Sequence, residues 1–206
     1  MVRYKLTYFD MRGRGEYLRY IFWYRNVQFE DYRIQLDEWS EFREQTLFGT
    51  LPELEVDGIK LSQPTVIGAY LGREFGLAGA TNLEMARCDM IAYQMNEFVM
   101  SLFPYVLHHF LKSDEDRAQY EWKLFQEKWQ EHKKRFTELL ATNGGVWFVG
   151  NSVTYVDFFI AEVHQRILQE IDSSSLDDAP HLYNHVERIH GLPDIRKRIV
   201  RRKPSW

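Results

Sequence analysis

The stretch Lys5-Leu6-Thr7-Tyr8-Phe9-Asp10-Met11-Arg12-Gly13-Arg14-Gly15-Glu16 decides how this chain is read. Tyr4, Leu6 and Tyr8 alternate with the period of a half-buried strand, and the alternation stops at a turn bracketed by Gly13 and Gly15. From Glu16 to Arg25 the apolar residues Tyr17, Leu18, Ile21 and Phe22 keep the spacing of one helical face. A phenol placed where a strand ends and a helix begins can face a ligand rather than the core. It is neutral at physiological pH and can donate one hydrogen bond to a developing anion. Arg14, in the same turn, adds a fixed positive charge. The junction therefore predicts an anion-stabilising corner.

Working outward, Gln28 to Ile34 reads as a second strand and Trp39 to Arg43 as a short irregular helix. Pro52 to Val56 and Ile59 to Leu61 flank Asp57-Gly58, a pair that supplies the positive φ angles of a two-residue hairpin turn. Pro64 suits the first position of a helix whose buried face is expected to carry Val66, Ile67, Tyr70 and Leu71. The order is βαβ, hairpin, α over residues 1–75, followed by a glycine-rich linker at 76–82. Residues 83–206 are expected to be almost wholly helical. Two long helices run from Leu83 to about Phe110 and from Asp114 to about Leu140, with a break near Lys112-Ser113. Asn143-Gly144-Gly145 ends the second. Thr154 and Asp157 have capping-box spacing and open an apolar helix to about Ile171; Pro180 and Pro193 begin two more.

The whole chain sets bounds on function. With 206 residues, 45% of them hydrophobic and 16% aromatic, it can bury a real core. A formal net charge of −4 argues against bulk nucleic-acid binding. The lone cysteine, Cys88, excludes an internal disulfide and suits a reducing compartment. No apolar leader or membrane-length run is visible, so the expectation is a cytoplasmic protein with no membrane partner.

Taken together, the Tyr8 turn with Arg12-Gly13-Arg14, Asp37-Glu38-Trp39, Leu51 through Gly58, Ser62-Gln63, Tyr70-Leu71, Gly76 through Gly79, and Gly150 through Thr154 leading to Asp157 resemble a sigma-class glutathione transferase. The resemblance spans essentially the whole chain. It implies a thioredoxin-like α/β N-terminal domain joined to an all-α C-terminal helical domain, with glutathione as co-substrate and a homodimer as the working form. It also implies a thiol-transfer chemistry. A free thiol titrates near pH 8.5, and only its thiolate is nucleophilic. A hydrogen bond from Tyr8, with Arg14 and the positive end of the first helix, would favour the ionised sulfur. Lowering its pKa by about two units takes about 2.7 kcal/mol, within reach of one charged hydrogen bond plus the local field.

By the same resemblance, Trp39 and Arg43 hold the glycyl end of glutathione, Pro52 after Leu51 is a cis-proline presenting backbone groups to the peptide, and Gln63 contacts the γ-glutamyl group. Glu97 matches an acidic residue that reaches the partner's glutathione. Pro64 departs from the pattern, because the family usually has serine there. Proline offers neither hydroxyl nor N–H, a loss worth about 1.5–3 kcal/mol. The hydrophobic electrophile is expected between the domains, near Phe9, Met11, Gly13, Met100, Ser101 and Tyr105. An enzymatic alternative is glutathione-dependent prostaglandin D isomerisation. An alternative of another class is a lens-crystallin-like structural protein or ligand carrier, with activity weakened by Pro64. His181 and His185 stand four apart but lack a third ligand, so no metal is expected. Cys88 reads as a packed thiol, and the basic end at Arg196-Lys197-Arg198 and Arg201-Arg202-Lys203 as a complement to a helix dipole.

Overall fold

A computed structural model describes residues 2–111 and 115–200, with the side chains of 107–111, 115 and 118 excepted. Strand β1 (Tyr4–Phe9) leads into helix α1 (Glu16–Tyr24), and β2 (Glu30–Ile34) returns parallel to β1. After a short helix α2 (Trp39–Phe42) and a 3₁₀ turn (Arg43–Gln45), β3 (Glu53–Val56) and β4 (Ile59–Ser62) form the hairpin. Asp57 and Gly58 both take positive φ, as a two-residue turn of this kind demands. β3 pairs antiparallel with β1, giving one mixed sheet of order β2-β1-β3-β4. Helix α3 (Pro64–Glu74) closes this thioredoxin-like layer. The antiparallel β3 and β4 need only the two-residue Asp57-Gly58 turn between them, whereas β1 and β2 run parallel and need the α1 crossover.

The remainder is helical: α4 (Asn82–Leu111), α5 (Glu115–Thr142), α6 (Tyr155–Glu170), α7 (Pro180–His190) and α8 (Pro193–Ile199). The expected break at Lys112-Ser113 lies outside the described residues. Among the described residues no helix is long and apolar enough to cross a membrane.

One hydrophobic core runs through both parts. Tyr17 of α1 stacks on Phe159 of α6 with ring centroids 4.2 Å apart, and Tyr20 meets Phe158 edge-on. Each such ring, fully buried, contributes on the order of 1.5–3 kcal/mol. Helix α3 can approach α6 closely because Gly72 has no side chain; a Cβ there would lie 2.6 Å from the Tyr155 ring. That packing also corrects the expected buried face of α3. Ile67 and Leu71 are buried, but Val66 is 51% exposed, on the far side from the glycine contact.

The helical half is threaded by buried polar groups. Asp157 accepts from the backbone and hydroxyl of Thr154 at 2.7 and 2.8 Å, so the capping box forms. It also takes the Phe148 N–H at 3.1 Å and lies 2.9 Å from His185 Nε2. His185 is thereby committed to Asp157. Cys88 is buried, and desolvation pushes its thiol up to about 12, the state of a packed and unreactive sulfur. Arg198 lies over the Trp23 ring, consistent with a basic helix end packed on the protein.

Candidate functional site

The end of β1 and the turn after it build the site. Tyr8 points its ring onto the turn, and the two glycines leave the room for it. A Cβ on Gly13 would lie 2.3 Å from the Tyr8 hydroxyl, and one on Gly15 2.6 Å from the ring. Gly13 also holds a φ of +40°, which L side chains rarely adopt. The ring is only 6% exposed and packs with Ile34, Leu51, Phe9, Met11, Trp39 and Phe42. Its oxygen is not apolar-packed: it accepts the Arg14 backbone N–H at 2.9 Å. The hydroxyl proton is therefore available for donation elsewhere, since an accepting oxygen keeps its O–H. The buried Arg19 guanidinium lies 6.0 Å from the ring centroid, adding positive potential behind the phenol.

Arg14 bridges the two halves of the molecule. Its guanidinium donates to the Leu51 carbonyl at 3.3 Å and approaches Met100 Sδ of α4 at 3.9 Å. Leu51 and Pro52 are joined by a cis peptide bond, as the resemblance implied. Buried Glu53 secures the loop before them, accepting the Leu47 N–H at 2.8 Å and pairing with Lys60 at 2.9 Å. Trp39 meets Phe9 edge-on at 5.3 Å, and exposed Arg43 lies over Gly49, its Nε 3.0 Å from where a Cβ would be.

Gln63 takes φ 76° and ψ 121°, a costly conformation for a non-glycine residue and one that concentrates at ligand clamps. Its side chain is exposed at the N-terminus of α3. Pro64 is buried at the first helical position, and its carbonyl accepts the Tyr17 hydroxyl. The first helical bond runs from Ile67 N–H to the Gln63 carbonyl at 3.0 Å. The N–H groups of Thr65 and Val66 therefore precede the intrahelical ladder and lie at the positive end of α3.

Not every candidate gathers here. Tyr8, Arg14, Leu51 and Pro52 meet at one corner with Phe9, Met11, Gly13 and Trp39, and Met100 reaches it through Arg14. Exposed Glu97 and half-buried Ser101 instead line a groove of about 880 Å³ between α4 and α5. Tyr105 packs on Trp122 at 5.0 Å within the helical core.

The sequence reading passed over the charges on α6. Arg12 is 3% exposed and pairs with Glu162 at 2.7 Å and Glu170 at 3.2 Å, and Tyr20 donates to Glu162 at 2.6 Å. The available signal was a row of charges four apart, Glu162, Arg166 and Glu170, along one face of α6.

Comparison with known proteins agrees with this architecture. The profile of the glutathione S-transferase C-terminal domain matches residues 101–199. The chain is 38% identical over 207 residues to glutathione S-transferase 1 of Ascaris suum, covering 98% of each. It is 36% identical over 216 residues to the human hematopoietic prostaglandin D synthase, again covering 98% of each. The crystal structure of monomeric Na-GST-3 from the hookworm Necator americanus superposes with a TM-score of 0.91 at 30% identity, covering 98% of both chains. With the thioredoxin-like sheet, the helical half and near full-length relatives in agreement, this chain belongs to the glutathione S-transferase family.

Proposed function

We propose that the protein transfers the sulfur of glutathione to hydrophobic electrophiles, with Tyr8 donating its hydroxyl hydrogen bond to the thiolate. The observation that carries this reading is the Tyr8 oxygen accepting the Arg14 N–H at 2.9 Å while its own proton remains available. A phenol that accepts one bond is a better donor in the other direction, because hydrogen bonds in a chain polarise one another. Arg14 supplies positive charge at the same corner and cannot lose it at any ordinary pH.

The donor set suits a tripeptide. Trp39 and Arg43 would take the glycyl end, the backbone at Leu51 and Pro52 the cysteinyl unit, and Gln63 the γ-glutamyl end. Pro64 cannot donate, but the Thr65 and Val66 N–H groups at the start of α3 offer two donors to a carboxylate. Phe9, Met11, Gly13 and Met100 give the acceptor an apolar wall, consistent with a hydrophobic substrate. Binding both reactants in one place adds proximity to the activated nucleophile. We assign Ser101, Tyr105 and Glu97 more distant parts, Glu97 on the α4 face expected to meet a second subunit. The sigma class, the homodimer, the cytoplasmic setting and the division at residues 76–82 belong to this proposal. Prostaglandin D isomerisation uses the same thiolate, and the 36% identity to the human synthase makes the endoperoxide the first acceptor to assay.

The test is Tyr8→Phe, which keeps the ring over Gly13 and Gly15 and removes only the donor. The bound thiol, titrated by thiolate absorbance, is expected to rise by about two pKa units, and kcat/KM near neutral pH to fall roughly twenty-five-fold with the thiolate fraction. An unchanged titration rejects the role of Tyr8. Calorimetry that detects no glutathione binding at millimolar ligand favours the structural-protein alternative instead.

A further inference from the structure

Helix α6 reaches the same corner from behind. Glu162, Arg166 and Glu170 recur every four residues and share one helical face. Arg166 is 5% exposed, and its Nη1 donates to the Gly13 carbonyl at 3.2 Å. Gly13 C=O and Arg14 N–H are the two ends of one trans peptide plane, since the cis bond of the described chain is at Leu51–Pro52. Gripping the carbonyl end therefore aims the N–H end, which donates to the Tyr8 oxygen at 2.9 Å. Without an anchor, Gly13 is the most freely rotating residue type in the turn.

The sequence of contacts is continuous and polarised in one direction: Arg166 guanidinium to Gly13 carbonyl, Arg14 N–H to Tyr8 oxygen, Tyr8 proton to the acceptor. A buried cation at the head of such a chain strengthens each following bond. Burial lowers the pKa of Arg166, and Arg12 lowers it further, while Glu162 and Glu170 favour its charged form. Arg12, held by Glu162 at 2.7 Å, clamps the preceding residue of the turn to the same helix.

We propose that Arg166 is a positioning residue for thiolate formation: it fixes and polarises the Gly13–Arg14 peptide so that the Tyr8 hydroxyl donates more strongly to the glutathione sulfur. This rests on the role given to Tyr8 above. Arg166 touches neither substrate, so its effect must travel through the peptide.

The experiment titrates the thiol of glutathione bound to the full chain, by thiolate absorbance, in four proteins: the parent, Arg166→Gln, Arg166→Lys and Tyr8→Phe. Arg166→Gln is expected to raise the bound-thiol pKa by about one unit, about threefold less thiolate at neutral pH. The glutathione Kd stays within about threefold, and the lost kcat/KM returns at high pH. Arg166→Lys keeps the charge with a shorter reach and is expected to show about half that shift. It also serves as the measured variant should Arg166→Gln not fold. The inference is overturned if Tyr8→Phe raises the bound-thiol pKa while every folded Arg166 variant leaves it at the parent value, whatever happens to thermal stability. If Tyr8→Phe itself leaves the titration unmoved, the role of Tyr8 fails first and this inference with it.

Discussion

The two ends of α6 carry buried charge to different purposes. At its N-terminus Asp157 gathers donors from Thr154, Phe148 and His185, all from the helical half. From its middle to its C-terminus Glu162, Arg166 and Glu170 face Arg12 and Gly13, more than 140 residues earlier in the chain. The first cluster closes a helix on its own neighbourhood. The second joins the helix to the turn that holds Tyr8. A buried carboxylate is thus a folding device or a coupling device according to where its partners come from, not according to its own chemistry. The middle of the helix offers a third case. His164 lies 2.8 Å from His132 of α5, Nε2 to Nε2, so one ring donates and the other accepts.

The strongest challenge to this contrast is Asp157→Ala. It strands the Phe148 and Thr154 N–H groups and His185, and should cost about 3–5 kcal/mol of stability in urea unfolding. Turnover per folded molecule should be unchanged, because none of these groups reaches the Tyr8 corner. A loss of catalysis out of proportion to folding would erase the distinction.

Acid comes next. Burial pulls His132 down to about 3, and burial together with His132 and His185 holds His164 well below its ordinary value. Unfolding restores an ordinary pKa near 6.5, so the unfolded chain binds more protons below that pH. Stability from this pair is complete above pH 6.5 and drains away as pH falls toward 3, by about 3 kcal/mol at pH 4 from His132 alone. Denaturant unfolding at stepped pH measures it, and a flat profile between 6.5 and 4 would contradict the buried neutral pair.

Glu162→Gln sharpens the coupling end. It leaves Arg12 short of a buried counter-charge and should cost about 2 kcal/mol. Unlike Asp157→Ala, it is expected to lower kcat/KM several-fold even in the folded fraction, read from initial rates on refolded, concentration-matched protein. Equal specific activity would assign Glu162 to folding alone. Smallest of all, Thr154→Ala removes one capping hydroxyl. About 1 kcal/mol should be lost in thermal unfolding with no kinetic change; a change in KM would mean that the cap end also communicates with the site.

How much of this was legible beforehand follows the range of each interaction. The β1 alternation, the Asp57-Gly58 turn and the Thr154–Asp157 box are local, and local chemistry is written in adjacent letters. The Tyr8 turn was legible as glycine-bracketed, but not why. The reason is the ring lying on Gly13 and Gly15, a contact made only once the chain folds back. Val66 departs from the expected buried face because its helix sets that face through Gly72 against Tyr155, a residue from the other half. Ser101 is expected at the acceptor by its position in the sequence, yet it lines the groove between α4 and α5.

By itself the sequence determined the order of elements, the family and the phenol at the end of β1, because periodicity, turn chemistry and a spaced set of motifs survive in one dimension. Only the tertiary structure decided which charges meet. Arg12 with Glu162, and Arg166 with the Gly13 carbonyl, are pairings across 150 and 153 positions that exist because α6 packs against the β1–α1 turn. Burial then makes partner choice costly to violate, and no spacing rule along the chain encodes it.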